Sequence, residues 1–177
     1  IGAKTKEIDR WMGGVKTYEA SVVLGAVTES YDLETPVQSS GVNFDLEPKT
    51  ILEGLGTMVG FIQQKPPAHS AIKVDGVRSY TRARQGKSLE MQARTVHIEA
   101  IDLLGWNKPQ MQLRIRCGKG TYIRSLAHDL GAYWGCGAYL EGLRRTGIGS
   151  ITLDQAFQLE DFDAFLQIDS PTDHARR

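Results

Sequence analysis

The chain has 177 residues, of which 41% are hydrophobic and 24% are charged, a composition in the usual range for globular domains. Its 21 basic and 21 acidic side chains cancel, so the net charge does not by itself indicate nucleic acid or membrane as a partner. No apolar stretch reaches the roughly 18 to 20 residues that span a bilayer, and the first residues lack the apolar core of a signal peptide, so we expect a cytoplasmic protein without membrane contact.

The first half of the chain contains strand and helix signals in turn. Residues 15–24 are rich in β-branched and aromatic side chains and end at Gly25, which predicts a strand. Residues 48–59 place apolar side chains at helical spacing behind Pro48, a residue favoured in the first turn of a helix. A short helix is predicted over residues 80–85.

The second half continues this mixture. Residues 96–100 and 111–117 alternate apolar with polar side chains, which predicts two half-buried strands. The apolar spacing of residues 123–130 predicts a helix that ends at Gly131. Strands and helices do not alternate strictly, so we predict an α+β fold with a mixed, largely antiparallel sheet and flanking helices. Cys117 and Cys136 are too few for a disulfide framework and are predicted to be buried thiols.

Charge is distributed unevenly along the chain. Residues 29–53 and the last two dozen residues are acidic, whereas residues 63–94 and 111–124 are basic. Clustered bases are the usual footprint of a phosphate backbone, although a solvated basic surface gives the same pattern. No phosphate-loop, dinucleotide-binding or metal-ligand motif is present, and the histidines are scattered.

Two segments combine bases with backbone features suited to RNA. Residues 118–124 place two glycines, two cations and an aromatic ring at a strand-to-helix junction, where free N–H groups attract anions. Residues 63–73 form a basic run interrupted by Pro66 and Pro67, which suits an extended loop that contacts unpaired nucleotides. Each segment alone is also compatible with an ordinary turn or connector.

Taken in order, four motifs resemble the TruB family of tRNA pseudouridine synthases over residues 1–158. They are Lys-x-Tyr-x-Ala…Leu-Gly-x-x-Thr-x-x-x-Asp (16–32), Gln-x-x-Pro-Pro-x-x-Ser-Ala-x-Lys-Val-x-Gly-x-x-x-Tyr-x-x-Ala-Arg-x-Gly (63–86), Cys-x-Lys-Gly-Thr-Tyr-Ile-Arg-Ser-Leu-Ala-x-Asp-Leu-Gly (117–131) and Leu-Arg-Arg-Thr-x-x-Gly (143–149). The resemblance implies isomerisation of one uridine, position 55 in the T loop of tRNA, to pseudouridine without a cofactor. The target base would be flipped out of the loop into a pocket.

The resemblance also implies roles for individual residues. Tyr18 matches the tyrosine that stacks on the flipped uracil and takes the proton from C5, and Arg124 matches the arginine that pairs with the catalytic aspartate. Leu143 matches an apolar pocket residue, and Tyr122 is expected to support the site from beside it. The tRNA T arm is the implied partner, and the residues expected to contact RNA are Lys16, Lys65, His69, Lys73, Arg82, Arg84 and Lys119.

The expected domain organisation follows from the same resemblance. Residues 1–158 would form the catalytic domain, residues 63–94 within it a thumb-like insertion that grips RNA, and residues 159–177 an acidic end segment or linker. Residues 1–6 resemble a stretch that follows the catalytic aspartate in the family, so the nucleophile is expected upstream of residue 1, in a segment that could also be a separate chain. By itself the chain would then be inactive, and Arg124 would stay solvated, meet an anion or find a substitute acid. The alternative is a non-catalytic RNA-binding fragment of such an enzyme.

Overall fold

A computed structural model describes residues 5, 6, 8, 13–68, 73, 74, 77, 78, 91–158 and 161. Its main feature is a six-stranded sheet, with two short two-stranded pairs beside it. The elements in chain order are β1 Lys16–Leu24, β2 Ala26–Val27, β3 Gln38–Ser39, α1 Pro48–Thr57, β4 Gly60–Gln64, β5 Lys73–Val74, β6 Val77–Arg78, β7 Arg94–Asn107, β8 Gln110–Cys117, α2 Ile123–Tyr133, β9 Ala138–Ile148 and β10 Ile151–Thr152.

The sheet has the strand order β10-β9-β1-β8-β7-β4, and every neighbouring pair is antiparallel. β1 lies in the middle, where it pairs with β8 on one side and with β9 on the other. The α+β fold and the largely antiparallel sheet are therefore confirmed, as are the strands predicted around residues 15–24, 96–100 and 111–117.

The hydrophobic core lies between one face of this sheet and the helices α1 and α2. β8 alternates strictly, with Met111, Leu113, Ile115 and Cys117 buried, and α2 turns Leu126 and Leu130 toward them. α1 contributes to the same cluster, which agrees with the helix predicted behind Pro48. Both cysteines are free and buried, as predicted.

The opposite face of the sheet is polar and joined by contacts across the strands. Arg114 of β8 pairs with Glu19 of β1 at 3.2 Å, and Arg116 pairs with Glu99 of β7 at 3.3 Å. These two arginines occupy the open face, as their alternation with apolar neighbours predicted. The bases of this strand are thus matched by acids and do not form an unpaired positive stripe.

The predicted end of α2 at Gly131 is wrong, because the helix continues to Tyr133. A β-carbon at Gly131 would lie 2.2 Å from the backbone nitrogen of Ala138, so this glycine is required for close packing of the helix against the start of β9. The left-handed residue after the helix is Gly135, with φ of 69°. The short helix predicted over residues 80–85 lies outside the described residues.

Candidate active site

A cavity of about 400 Å³ opens beside the N-terminus of α2, between β1, β9 and the loop that follows β2. The structure brings four residues singled out from the sequence to its wall, although they come from chain segments far apart. These residues are Tyr18, Tyr122, Arg124 and Leu143.

Tyr18 reaches the cavity from the middle of the sheet. It lies on β1 opposite Ile115 of β8 and Arg145 of β9, next to a shift in the β1–β9 register. Its side chain is half-buried and packs against the hydrophobic core. The ring is therefore held by two neighbouring strands, and one part of it faces the cavity.

The turn after β8 sets the start of α2. The N–H of Gly118 donates to the carbonyl of His97 at 2.9 Å, and Gly120 adopts φ of 83°, which glycine tolerates best. Tyr122 is the N-cap residue, in an extended conformation, and the helix begins at Ile123. Arg124 is thus the second residue of the helix, and its side chain extends from the first turn into the cavity.

Arg124 has a carboxylate partner in the cavity. Its Nη1 lies 2.7 Å from Oδ2 of Asp32 and 3.9 Å from Oε2 of Glu34. The Arg124 and Asp32 side chains are only 19% and 26% exposed, so water screens their charges weakly. Arg124 thus meets acids of this same chain, Asp32 and Glu34.

Asp32 is held in its ionised form by its neighbours. Burial raises the pKa of Asp32, but hydrogen bonds from Ser30, from the backbone N–H of Glu34 and from Arg124 outweigh burial and bring the pKa below its ordinary value. The Glu34 N–H donates to Oδ1 of Asp32 at 3.0 Å. The pair with Arg124 is therefore a full ion pair at neutral pH.

The loop that carries Asp32 is fastened to α2 and β9. Tyr31 has φ of 66°, an uncommon conformation for a side chain of this size, and its carbonyl accepts the N–H of Leu140 at 2.9 Å. Its ring stacks on His128 of α2, with the ring centres 3.9 Å apart. Burial lowers the pKa of His128 and raises the pKa of Asp129 to about 6.

Leu143 supplies an apolar side chain at the rim of the cavity. It lies on β9 opposite Ala20 of β1 and is 49% exposed. Leu143 is thus an apolar part of the cavity wall that a molecule in the cavity can reach.

A second cavity of about 380 Å³ adjoins the first and shares Tyr18 and Thr121 with it. Its wall includes the cations Lys16, Lys119 and Arg145. Tyr18 therefore lies between a cavity that contains an ion pair and a cavity lined by positive charge.

The remaining residues predicted to contact RNA are only partly described. Lys65 is exposed directly after β4, and Lys73 lies in β5, which pairs with β6 as a short hairpin. His69, Arg82 and Arg84 lie outside the described residues. Sequence reasoning did not include Asp32 among the site residues, although its place at the end of the first motif was a signal.

The described part of the chain contains neither a metal-binding cluster nor a membrane-spanning helix. No three of its His, Cys, Asp and Glu side chains are arranged to hold a metal ion. None of the described helices has the length and apolar character needed to cross a membrane.

Comparison with solved structures identifies the fold. A chain of a Cbf5–Nop10–Gar1 complex matches 93% of this chain with a TM-score of 0.67 and 24% sequence identity, over 40% of its own length. A chain of an H/ACA RNP bound to a substrate RNA matches the same share with a TM-score of 0.62 and 22% identity, over 39% of its own length. At these identities the likeness concerns the fold alone.

Sequence relatives are closer. The tRNA pseudouridine synthase B of Parabacteroides distasonis is 42% identical over 94% of this chain and 71% of its own length. The protein of the same name from Ralstonia nicotianae is 45% identical over 93% of this chain and 53% of its own length. The chain thus spans between about half and three quarters of these curated relatives.

Family models cover nearly all of the sequence. The N-terminal domain of TruB family pseudouridylate synthases matches residues 1–123, and the C-terminal domain of tRNA pseudouridylate synthase B matches residues 124–175. The boundary between the two models falls at the first turn of α2, beside the cavity. Together with the 42% identity to a named relative over most of the chain, these matches show that the chain belongs to the TruB family of pseudouridylate synthases.

Proposed function

We propose that the protein to which this chain belongs converts one uridine of the tRNA T loop, position 55, to pseudouridine. The observation that carries the proposal is the meeting of Tyr18, Arg124 and Leu143 at one cavity. These residues come from β1, α2 and β9, and they are the ones to which the family resemblance gives roles. The family membership and the relatives' name support the same reaction.

The reaction rearranges the nucleotide without net loss of atoms. The bond between C1′ of the ribose and N1 of uracil breaks, the base turns, and a bond forms between C1′ and C5. C5 then loses its proton, and N1, which carried none while it was bonded to the ribose, gains one. A base within a folded loop is inaccessible to an enzyme, so the uridine must be flipped into the cavity.

We assign Tyr18 to stack on the flipped uracil and to accept the C5 proton through its hydroxyl group. Leu143 lines the pocket with an apolar surface and limits water around the reacting base. Tyr122 supports the site from the N-cap position of α2.

Arg124 is assigned to hold and orient a carboxylate. Its short contact with Asp32 supports this role, because it shows that the guanidinium at this place in the fold binds a carboxylate in a poorly screened setting. The family resemblance implies a nucleophilic aspartate, and we assign Arg124 to orient it while Asp32 keeps the guanidinium in the cavity.

The RNA partner is proposed to approach over the second cavity. Lys16, Lys119 and Arg145 lie beside Tyr18, where phosphates on either side of a flipped nucleotide would pass. The insertion with Lys65, His69, Lys73, Arg82 and Arg84 would grip the T arm. We place this activity in the cytoplasm.

The test uses the natural polypeptide and a T-arm RNA labelled with tritium at C5 of uridine. Isomerisation releases one tritium per RNA, and sequencing after chemical modification maps the pseudouridine to position 55. The 177-residue chain alone should bind the RNA without releasing tritium. Binding without release by the natural polypeptide would support the alternative, an RNA-binding protein without catalysis. Release by the 177-residue chain would instead make Asp32 the candidate nucleophile.

A further inference from the structure

Gln64 is a buried polar residue with no role in the reaction described so far. It is the last residue of β4, and its side chain is fully buried. The side-chain amide makes two hydrogen bonds to one residue of the site. Its Nε2 donates to the carbonyl of Tyr122 at 3.1 Å, and its Oε1 accepts the N–H of Tyr122 at 2.8 Å.

These two bonds fix the residue at which α2 begins. The Tyr122 carbonyl also accepts the first helical hydrogen bond, from the N–H of Leu126 at 3.1 Å. Because Gln64 binds the peptide groups on both sides of the Tyr122 α-carbon, it restricts both backbone dihedral angles there. The side chain of Tyr122 itself makes no capping hydrogen bond. The side chain that holds the N-cap residue comes from β4.

A buried amide is costly unless all of its partners are present. An apolar side chain would fill the same inward position of β4 without that requirement. Packing alone therefore does not explain a glutamine at this position. The two hydrogen bonds to the backbone of Tyr122 do explain it.

Two further hydrogen bonds join the segment 63–94 to the residues around the start of α2. The Ser125 hydroxyl donates to the carbonyl of Lys65 at 2.8 Å, and Nη2 of Arg94 donates to the carbonyl of Gly120 at 2.7 Å. Lys65 and Arg94 lie near the two ends of the segment 63–94. Both ends of that segment are thus bonded to residues 120–125, which bracket Arg124.

We propose that Gln64 is a positioning residue: by holding Tyr122, it sets the direction in which Arg124 leaves α2 and enters the cavity. Arg124 follows Tyr122 by two residues, so a rotation at the N-cap moves its guanidinium. The inference rests on the proposed function, in which that guanidinium orients a catalytic carboxylate. Misplacement by about 1 Å can reduce a rate about 100-fold.

The first test replaces Gln64 by Leu in the natural polypeptide, with Gln112→Leu as the matched control. Gln112 is also a strand glutamine with a side-chain hydrogen bond, 3.0 Å to Ser21, but it lies on the polar face of the sheet. Circular dichroism fixes a temperature at which every variant is folded. We expect Gln64→Leu to lower kcat about 10- to 100-fold while the Kd for T-arm RNA stays within about threefold of wild type. Gln112→Leu should retain both values.

The second test is Gln64→Glu, which separates positioning from general loss of stability. A neutral carboxyl group can accept from the Tyr122 N–H and donate to its carbonyl, as the amide does, whereas a carboxylate can only accept. We expect the kcat of this variant, relative to wild type at the same pH, to rise as the pH is lowered from about 8 to about 5.5. Gln64→Leu should show no such recovery.

The outcomes distinguish the inference from the function on which it rests. If the wild-type protein forms no pseudouridine, the proposed function fails. If wild type is active and Gln64→Leu matches Gln112→Leu in kcat, the positioning role is overturned. It is also overturned if Gln64→Leu loses RNA affinity as strongly as kcat, or if Gln64→Glu shows no pH-dependent recovery.

Discussion

Arg124 shows how one charged side chain can be kept within a half-closed cavity. Removing a guanidinium from water is costly unless an acid and further hydrogen bonds compensate, and Asp32 supplies the acid at 2.7 Å. Asp32 is in turn held by Ser30 and by the Glu34 N–H. The pair is therefore part of a network that fixes the position of the arginine before any substrate arrives.

Tyr18→Phe tests the proposed proton transfer. Phenylalanine keeps the ring that packs on the core and can still stack on uracil, but it lacks the hydroxyl group. We expect RNA affinity to be retained and turnover to fall by roughly 100- to 10,000-fold, the usual contribution of an acid or base group. Tritium release from C5-labelled RNA measures the effect, with the exposed Tyr133→Phe as control. Tritium release at the wild-type rate would show that Tyr18 does not accept the C5 proton.

Asp129 gives a prediction on pH and stability. Burial raises its pKa from 3.8 to about 6, so folding disfavours the charged carboxylate. The unfolded state therefore loses its proton first, and the free energy of unfolding falls as the pH rises from about 4 to about 6, then stays level. His128 acts in the opposite sense, since burial lowers its pKa and stability is lost as the pH falls below its ordinary value.

Replacing Asp129 by Asn should remove the first of these effects. We expect the free energy of unfolding to rise by about 1 kcal/mol near pH 7.5, after allowance for solvent screening, and to be unchanged near pH 4. The midpoint of thermal unfolding would then rise by roughly 2–4 °C at the higher pH. Asp102→Asn, at an exposed position of β7, is the control. An equal gain at both pH values would contradict the assignment.

At the scale of the elements, α2 shows what a glycine can and cannot indicate in a sequence. A glycine after an apolar stripe is a common helix end, yet Gly131 lies within the helix, where β9 approaches its backbone. Whether a glycine ends a helix or allows another strand to pack closely against it depends on its neighbours in space. Those neighbours cannot be read from the local sequence pattern.

Gly131→Ala should therefore destabilise the protein although alanine favours helices. The added β-carbon would lie 2.2 Å from the nitrogen of Ala138 and 2.4 Å from the carbonyl carbon of Gly137, so backbone must shift. We expect a loss of roughly 1–3 kcal/mol in urea unfolding. Gly56→Ala in α1 is the matched control, because nothing lies within 4 Å of its β-carbon, and it should gain about 0.4–1 kcal/mol. Equal effects at the two positions would show that close packing is not the cause.

The strands of the central sheet could be predicted from the sequence because one face is buried and the other is polar, which gives strict alternation in β8. The partners within the site could not be predicted from local patterns. The contact of Asp32 with Arg124 joins residues 92 positions apart, and the contacts of Gln64 with Tyr122 join residues 58 apart. Only the tertiary fold brings such pairs together, so motifs supplied the candidates and the structure supplied their contacts.

For the molecule as a whole, the positions of the charged side chains matter for RNA binding, because their sum is zero. The chain has no net charge, and the arginines of β8 are paired with acids on the polar face of the sheet. Lys16, Lys119 and Arg145 line one cavity beside Tyr18. Attraction of RNA should therefore depend on this small region and on the insertion.

Replacing both Lys16 and Lys119 by Ala should weaken RNA binding and reduce its dependence on salt. Each lost phosphate contact lowers the slope of log K against log salt by about one unit, so a change of about two is expected. Filter binding of T-arm RNA between low and moderate salt measures it. Lys49→Ala, whose side chain is 88% exposed on α1, is the control and should leave the slope unchanged. A slope equal to that of wild type in the double variant would show that these two lysines do not contact the RNA backbone.

The pairing of β1 with β9 also decides when the site comes into existence. It joins residues 16–24 to residues 138–148, with β8 completing the other side of β1 only after most of the chain has been made. Contacts between segments so far apart in sequence form late, and they reduce the rate of folding. During synthesis the ribosome must therefore release β9 before Tyr18, Arg124 and Leu143 can surround a common space. Until translation has passed Ile148, the cavity lacks the part of its wall that β9 provides.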